Sequence, residues 1–431
     1  AQAAAGPAPA LGLDEAAAEG VARAQLALLA ARDGAPHSRP GAPDRAEGGP
    51  YAGTIGGLRP GVSDPRRGAL SVTALEDFAR CPWRTLLRRV LRVEPCPDPH
   101  AQVPELSAAT VGLAVHRALE LLVSGTGEPR AQTTGLTGPA RTVRWPGPGA
   151  RHAAVERAAA EIAHDAGFGL LPGLHRALAL CVRPRLDRAL ALDWPAVSAS
   201  VEVVGTECEG TAMLLDAEGH ERQVTFRADR VDRRDQALVL TDFKTGRPLS
   251  DAKRASTRLE HLRSAVRRGE RLQAAIYAAS GAGQAAIGRY VFLAAPDERD
   301  QDPEDDDPGA ATAAAQAAPD FALADDDVAV TQDLPRVARV LFAAWDAGLF
   351  FPRLELPKER PQRLCEHCEV RAACVQGDSG ARDGQRRWLA ALRRERATSA
   401  SAGVAAPDAA GASLLALWDL AAEGGAEEPS A

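Results

Sequence analysis

The chain has 431 residues, 45% of them hydrophobic, enough apolar material for one large core or two smaller ones. A net charge of -7 and an aromatic content of 4% argue at first sight against nucleic acid and leave few base-stacking platforms. No apolar run is long enough to span a bilayer and no charged-then-apolar leader opens the sequence, so no membrane association is expected.

The charge total conceals its distribution. Between Asp297 and Asp307 there are eight acidic residues against Arg299 alone, so this run carries the whole-chain excess and the rest is near neutral. Basic residues cluster at Arg80, Arg84, Arg88, Arg89 and Arg92 and again at Arg263, Arg267, Arg268 and Arg271; solvated helix faces are the simplest reading of each group. Seven scattered cysteines do not resemble a secreted disulfide framework, and a cytoplasmic location is expected. The sequence opens on Ala1 and reads as a piece of something longer.

In chain order, 1–69 is Ala/Gly/Pro-rich linker with one helix at Leu13–Arg32. A helix then opens with Thr73 as N-cap and Glu76 completing a capping box, and continues through Cys81-Pro82-Trp83 to about Val90. A second helix over 108–123 places Val111, Val115, Leu119 and Leu122 on one face and carries His116. Residues 124–150 read as a Gly/Pro loop, followed by helices at 151–166 and 172–192. The period then changes to two: Val201, Val203, 211–215, 224–228 and 238–242 read as an antiparallel meander with turns at 218–220 and 233–236. A helix at 270–280, a strand at 287–293 and a helix at 334–347 follow. The stretches 297–327 and 397–431 read as disordered insertion and low-complexity tail around a folded domain at 70–396.

Asp242-Phe243-Lys244 puts a carboxylate and an ammonium on one strand face, because side chains alternate. Asp229, in a strand at hairpin distance, can converge with Asp242 on a divalent ion; hard oxygen ligands suit Mg²⁺ or Mn²⁺. Taken singly, Asp-x-Lys is a common surface pair, His116 an ordinary helix residue, and Gln273 and Tyr277 an ordinary i, i+4 pair. Cys365, Cys368 and Cys374 form a tight trio with Cys81 as a remote fourth; such a set holds either Zn²⁺ or an iron–sulfur cluster, and spacing does not choose.

The ordered set is more telling. Helix His116, strand Asp229, strand Asp242-Phe243-Lys244 and helix Gln273-x-x-x-Tyr277, bracketed by Cys81 and the Cys365 trio, resembles the RecB/AddB-type branch of the PD-(D/E)xK nuclease superfamily over roughly 70–376. The resemblance implies an α/β, restriction-endonuclease-like fold with a central mixed sheet flanked by helices. It implies a metal site of His116, Asp229 and Asp242, a catalytic Lys244, and supporting roles for Gln273 and Tyr277. Glu207 corresponds to a further acidic position. It also selects a [4Fe–4S] cluster on Cys81, Cys365, Cys368 and Cys374, stapling the two ends of the domain. Two positions depart from the family pattern: Phe226 replaces a glycine, and Phe243 a tyrosine.

The function so implied is metal-dependent exonucleolytic hydrolysis of DNA, single-stranded by preference, in double-strand-break processing and recombinational repair. No Gly-x4-Gly-Lys-Ser/Thr loop is present, so unwinding is assigned to a helicase subunit or to a missing N-terminal helicase-like region. The alternatives are a catalytically silent DNA-end-binding module of the same fold and a stand-alone CRISPR-type exonuclease.

Overall fold

In a computed structural model of the chain, the described residues are 53–58, 64–94, 106–124, 136, 138–167, 169, 171–193, 200–252, 254–281, 283–294, 320–354, 363–366, 368–402 and 409–421. The helix expected at Leu13–Arg32 and the acidic run 297–307 lie outside them. The chain divides into two compact units. The sheet unit comprises Ala69–Glu76 and Cys96–Ala338; Asp77–Pro95 and Arg339–Glu423 belong to the other, here called the cysteine unit.

The sheet unit is built on the expected meander. Strands β1 (Leu70–Ser71), β2 (Arg141–Arg144), β3 (Ser200–Leu215), β4 (Glu221–Arg234), β5 (Ala237–Lys244), β6 (Ala286–Phe292) and β7 (Asp320–Ala324) form a mixed sheet in the order β2-β3-β4-β5-β6-β7, with β1 pairing β4. The hairpins β3–β4 and β4–β5 are antiparallel, whereas β5 and β6 are parallel. A parallel pair needs a long crossover, and here it carries two helices, Ala255–Arg267 and Gln273–Ala279. The first of these was anticipated only as a basic helix face, without bounds. Its arginines behave as a solvated helix face: Arg263 pairs with Asp327, Arg267 with Glu260, and Arg268 with Glu270.

Three helices, Ala108–Ser124, Pro148–Asp165 and Pro172–Asp193, pack their apolar stripes into a core that also takes Val201, Val203, Phe243, Val291 and Leu293 from the sheet. In chain order the helices are α1 (Val72–Arg80), α2 (Pro82–Thr85), α3 (Ala108–Ser124), α4 (Pro148–Asp165), α5 (Pro172–Asp193), α6 (Ala255–Arg267), α7 (Gln273–Ala279), α8 (Leu334–Asp346), α9 (Arg363–Glu366), α10 (Ser379–Ala402) and α11 (Ala409–Leu420). The expected loop 124–150 contains β2, and α4 begins earlier than expected, with Pro148 in its first turn, where a missing N–H costs nothing.

Within the stretch 297–327 the described residues, Asp320 onward, include strand β7, contrary to expectation. Phe321 and Leu323 alternate into the core as β7 pairs with β6, a two-residue period masked by the surrounding Ala- and Asp-rich composition. The tail is corrected likewise: α11 buries Leu414, Leu415, Leu417 and Leu420, and four buried leucines suffice to order a short helix in an otherwise low-complexity segment.

On the sheet face carrying Thr241 and Phe243, the sheet unit buries a charge network. Arg230 pairs with Asp232 and Asp193, and Arg289 reaches Asp193 and donates to Thr241 Oγ1 at 2.8 Å. Burial by itself would raise the Asp193 carboxyl, but Arg230, Arg289 and Arg234 hold it below the ordinary carboxylate range. Removing one partner of such a set strands buried charge. Asp193→Ala is expected to lower unfolding free energy by about 3–5 kcal/mol in a denaturant titration; a loss below about 1 kcal/mol, the scale of an exposed pair, would contradict this account.

Helix α1 differs from expectation at both ends. Its N-terminal cap is Ser71, whose Oγ accepts from Ala74 N at 3.2 Å. The Glu76 carboxylate, expected to complete a capping box, accepts from the backbone N–H groups of Leu272 and Gln273. The helix stops at Arg80, because the residue before a proline is forced out of helical geometry. Cys81 is extended, with φ -153° and ψ 96°; Pro82 starts α2 afresh, and helical turns continue through Leu86–Val90, the expected end.

In the cysteine unit Phe78, Trp345 and Phe350 pack edge-to-face, with ring centroids 5.1–5.2 Å apart. Buried Arg353 donates to the carbonyls of Ala79 and Leu417, near the C-terminal ends of α1 and α11. Arg84 and Arg88 pair with Glu369, and Arg89 with Asp77, so these members of the first basic group are also neutralised locally.

Candidate active site

β4 and β5 pair with Arg230 opposite Thr241, so the next position along the ladder sets Asp229 against Asp242. The regular ladder ends there, and Asp229 Oδ2 instead accepts the Phe243 N–H at 2.6 Å. Asp229 lies mid-strand in β4, whereas the sequence suggested a strand end. Asp242 and Lys244 share a face, as alternation requires, with Lys244 Nζ 2.6 Å from Asp242 Oδ2.

Gln273, at the start of α7, ties this pair together. Its Nε2 donates to Asp242 Oδ1 at 3.0 Å, and its Oε1 accepts from Lys244 Nζ at 3.0 Å. One turn further on, Tyr277 donates to the Arg227 carbonyl at 2.8 Å. α7 sits close against the sheet because Gly288 has no side chain; a Cβ there would stand 1.9 Å from the Ala274 carbonyl oxygen.

His116 projects from α3 with Nε2 2.8 Å from the Phe243 carbonyl oxygen and Nδ1 3.4 Å from Asp229 Oδ1. A hydrogen bond to that carbonyl requires Nε2 to carry a proton, which leaves Nδ1 as the imidazole's ligand atom. Burial opposes charge on His116, but the charge and hydrogen bond of Asp229, with Asp242 behind it, raise its pKa to about 9. Glu207 completes the group from β3. It has a left-handed backbone, φ 52°, which costs about 1–3 kcal/mol in a non-glycine residue. Ligand atoms of His116, Glu207 and Asp229 lie within 4.8 Å of one another. Asp242 stands outside that trio, beside Lys244.

The donor set fits a hard divalent cation. Asp229 and Asp242 line one cleft, Glu207 lies beside Asp229, and their charges conflict. Burial first, and Asp229 second, push Asp242 up to about 7 and move Glu207 in the same direction; Lys244 only partly offsets this at Asp242. Despite the nearby ammonium, Asp242 Oδ2 accepts no hydrogen bond of good geometry. A cation would relieve this carboxylate crowding.

The sign of the resulting pH dependence follows from proton binding. Asp242 ordinarily titrates at 3.8 and here at about 7; His116 moves from 6.5 to about 9. In both intervals the folded state holds more protons than the unfolded, so metal-free stability falls as pH rises through them. Thermal melting in chelator should therefore show Tm decreasing from pH 5 to pH 9, and Asp242→Asn should flatten the acid half of the slope. A Tm rising across that range in wild type but not in Asp242→Asn would refute the assignment.

Phe226, a departure noted above, is accommodated by its cross-strand neighbour. It pairs with Gly210, where a Cβ would meet the ring at 2.3 Å, and packs 5.0 Å from Tyr277. Phe243 is buried with its ring under Arg230. The cleft itself is open, with Thr73, His116, Arg227, Asp229, Asp242 and Gln273 in its walls.

The model of the PD-(D/E)XK nuclease superfamily matches residues 69–375. The chain belongs to this superfamily. Its mixed sheet flanked by helices is the restriction-endonuclease-like fold expected of such proteins. Membership suggests nuclease activity, hydrolysis with divalent metal, and DNA as substrate class. No curated protein matches the chain. Among the described residues no helix is long and apolar enough to cross a membrane.

The cysteine unit brings the four predicted cysteines to one small cavity, together with Trp83 and Arg353. Trp83 donates to the Ala373 carbonyl and Arg84 to Glu369, fastening the Cys81 segment to the Cys368–Cys374 loop. Burial raises the thiol pKa of Cys81, Cys365 and Cys374, so these sulfurs stay protonated unless a cationic group draws off the protons.

Sequence reasoning named Glu207 as a further acidic position without giving it a metal-ligand role, and it set Glu76 to cap its own helix, α1, where the carboxylate caps α7. The available signal for Glu207 was its β3 position opposite Asp229.

Proposed function

We propose that the chain is a Mg²⁺- or Mn²⁺-dependent exonuclease that hydrolyses phosphodiester bonds of DNA, single-stranded by preference, as the nuclease part of a helicase-nuclease in break processing. The observation that carries this reading is the wiring of Asp242, Lys244 and Gln273 alongside His116, Glu207 and Asp229 in an open cleft. His116, Glu207 and Asp229, with Asp242 adjacent, would hold the ion, which when bound supplies Lewis acidity toward the scissile phosphate.

The residues divide the remaining work. Lys244 presents a fixed ammonium to charge developing on the phosphate, held in place by Asp242 and the Gln273 amide. The Phe243 N–H and carbonyl pin Asp229 and His116 respectively, so the strand backbone orients both. Tyr277 ties α7 to β4 through the Arg227 carbonyl and so keeps Gln273 in register.

In the cysteine unit, Cys81, Cys365, Cys368 and Cys374 are proposed to ligate a [4Fe–4S] cluster. Four cysteines lining one cavity supply the four thiolates such a cluster needs, and the resemblance to the RecB/AddB-type branch favours it over zinc. The functional test is degradation of end-labelled single-stranded DNA by purified chain with Mg²⁺ or Mn²⁺, and its loss in chelator. Binding without cleavage under every divalent ion would support a silent end-binding module instead.

A further inference from the structure

We propose that Glu76 is a positioning residue for this active site, clamping the start of α7 so that Gln273 meets Asp242 and Lys244; the inference rests on the nuclease reading above. α7 spans only seven residues, Gln273–Ala279, and a helix that short does not persist by its own hydrogen bonds. The first N–H groups of any helix lack internal partners. At α7 the N-cap residue is Leu272, which has no side-chain acceptor to offer.

Glu76 fills that role from a remote part of the chain. Its Oε1 accepts from Leu272 N at 2.6 Å and Gln273 N at 3.1 Å, and the Tyr290 hydroxyl stands 3.5 Å away. The same hydroxyl lies 3.4 Å from Ala274 N. Three successive N–H groups at the helix start are thus met by two buried side chains, and the Glu76 carboxylate also faces the positive end of the helix dipole. Gln273, the first residue of α7, has its backbone held by Glu76 and its amide shared between Asp242 and Lys244. A shift of the helix start moves that amide directly. Glu76 acts on the backbone at the start of α7, so its effect on Asp242 and Lys244 passes through Gln273.

The test compares Glu76→Ala, Glu76→Gln, Gln273→Ala, the double variant Glu76→Ala/Gln273→Ala, and the core control Leu178→Ala, all assayed well below melting. Glu76→Ala should lower kcat about 10- to 100-fold, the penalty for loosening a group beside the chemistry, with little change in KM. Glu76→Gln keeps the oxygen acceptor and should recover most of the loss. The double variant should be no slower than Gln273→Ala alone, the signature of two residues acting in series. Leu178→Ala should lower Tm and leave kcat unchanged. Hydrogen–deuterium exchange over 272–280 reads the cap independently of activity and should quicken in Glu76→Ala. Unchanged exchange would overturn the cap. Faster exchange with wild-type kcat, or additive losses in the double variant, would overturn the positioning role. A wild-type chain that cuts no DNA would sink the nuclease reading and the catalytic half of this inference, while exchange would still decide the cap.

Discussion

Lys244→Met is expected to reduce DNA cleavage about a thousandfold while leaving Mn²⁺ affinity, read by titration calorimetry, unchanged or tighter. The ammonium sits 2.6 Å from Asp242 and 3.0 Å from Gln273, so it is preorganised and needs no rearrangement as phosphate charge builds. Losing one preorganised electrostatic donor typically costs 10²–10³ in kcat. Removing a cation beside a crowded carboxylate group should make ion binding easier, which separates this variant from Asp229→Asn. The latter should lose activity together with affinity, because Asp229 belongs to the trio with His116 and Glu207. Cleavage by Lys244→Met within tenfold of wild type would remove Lys244 from the chemistry.

The second large effect concerns the cysteine unit. Anaerobically purified chain should be brown, absorbing near the blue end of the visible range, and Cys374→Ala or Cys81→Ala should bleach it. The same variants should make Arg339–Glu423 sensitive to limited proteolysis. Binding energy of a group that joins remote segments acts as folding energy, and here it would join strands of chain whose contacts, such as Trp83 with Ala373, are 290 positions apart. A colourless protein carrying stoichiometric zinc would overturn the cluster assignment.

The order His116, Asp229, Asp242-x-Lys244, Gln273-x-x-x-Tyr277 was legible because each residue lies on an element with a clear local period. The meander from Ser200 to Lys244 and helices α3 to α5 were readable for the same reason. Segments with biased composition were misread. At β7 two buried aromatic and aliphatic positions, Phe321 and Leu323, outweighed an acidic, Ala-rich surrounding. At Cys81 the helix break follows from Pro82, a local rule the capping pattern obscured.

The Glu76 case shows where local reading stops. Thr73 and Glu76 match a capping box in spacing, and an isolated helix would satisfy it. In the folded chain Ser71 caps α1 and Glu76 is drawn to α7, because an uncapped helix start buried at Leu272 and Gln273 costs more than an exposed one.

By itself the sequence determined the superfamily, the alternation that sets Asp242 and Lys244 on one face, and the set of four cysteines. Those are matters of residue type and short-range period. Tertiary structure alone decided that Glu207 joins His116 and Asp229, that Gln273 bridges Asp242 and Lys244, that Gly210 makes room for Phe226, and that Glu76 serves a helix far along the chain. Each of these depends on strand register and helix docking, which buried hydrogen bonds and close packing fix only once the remote segments have met.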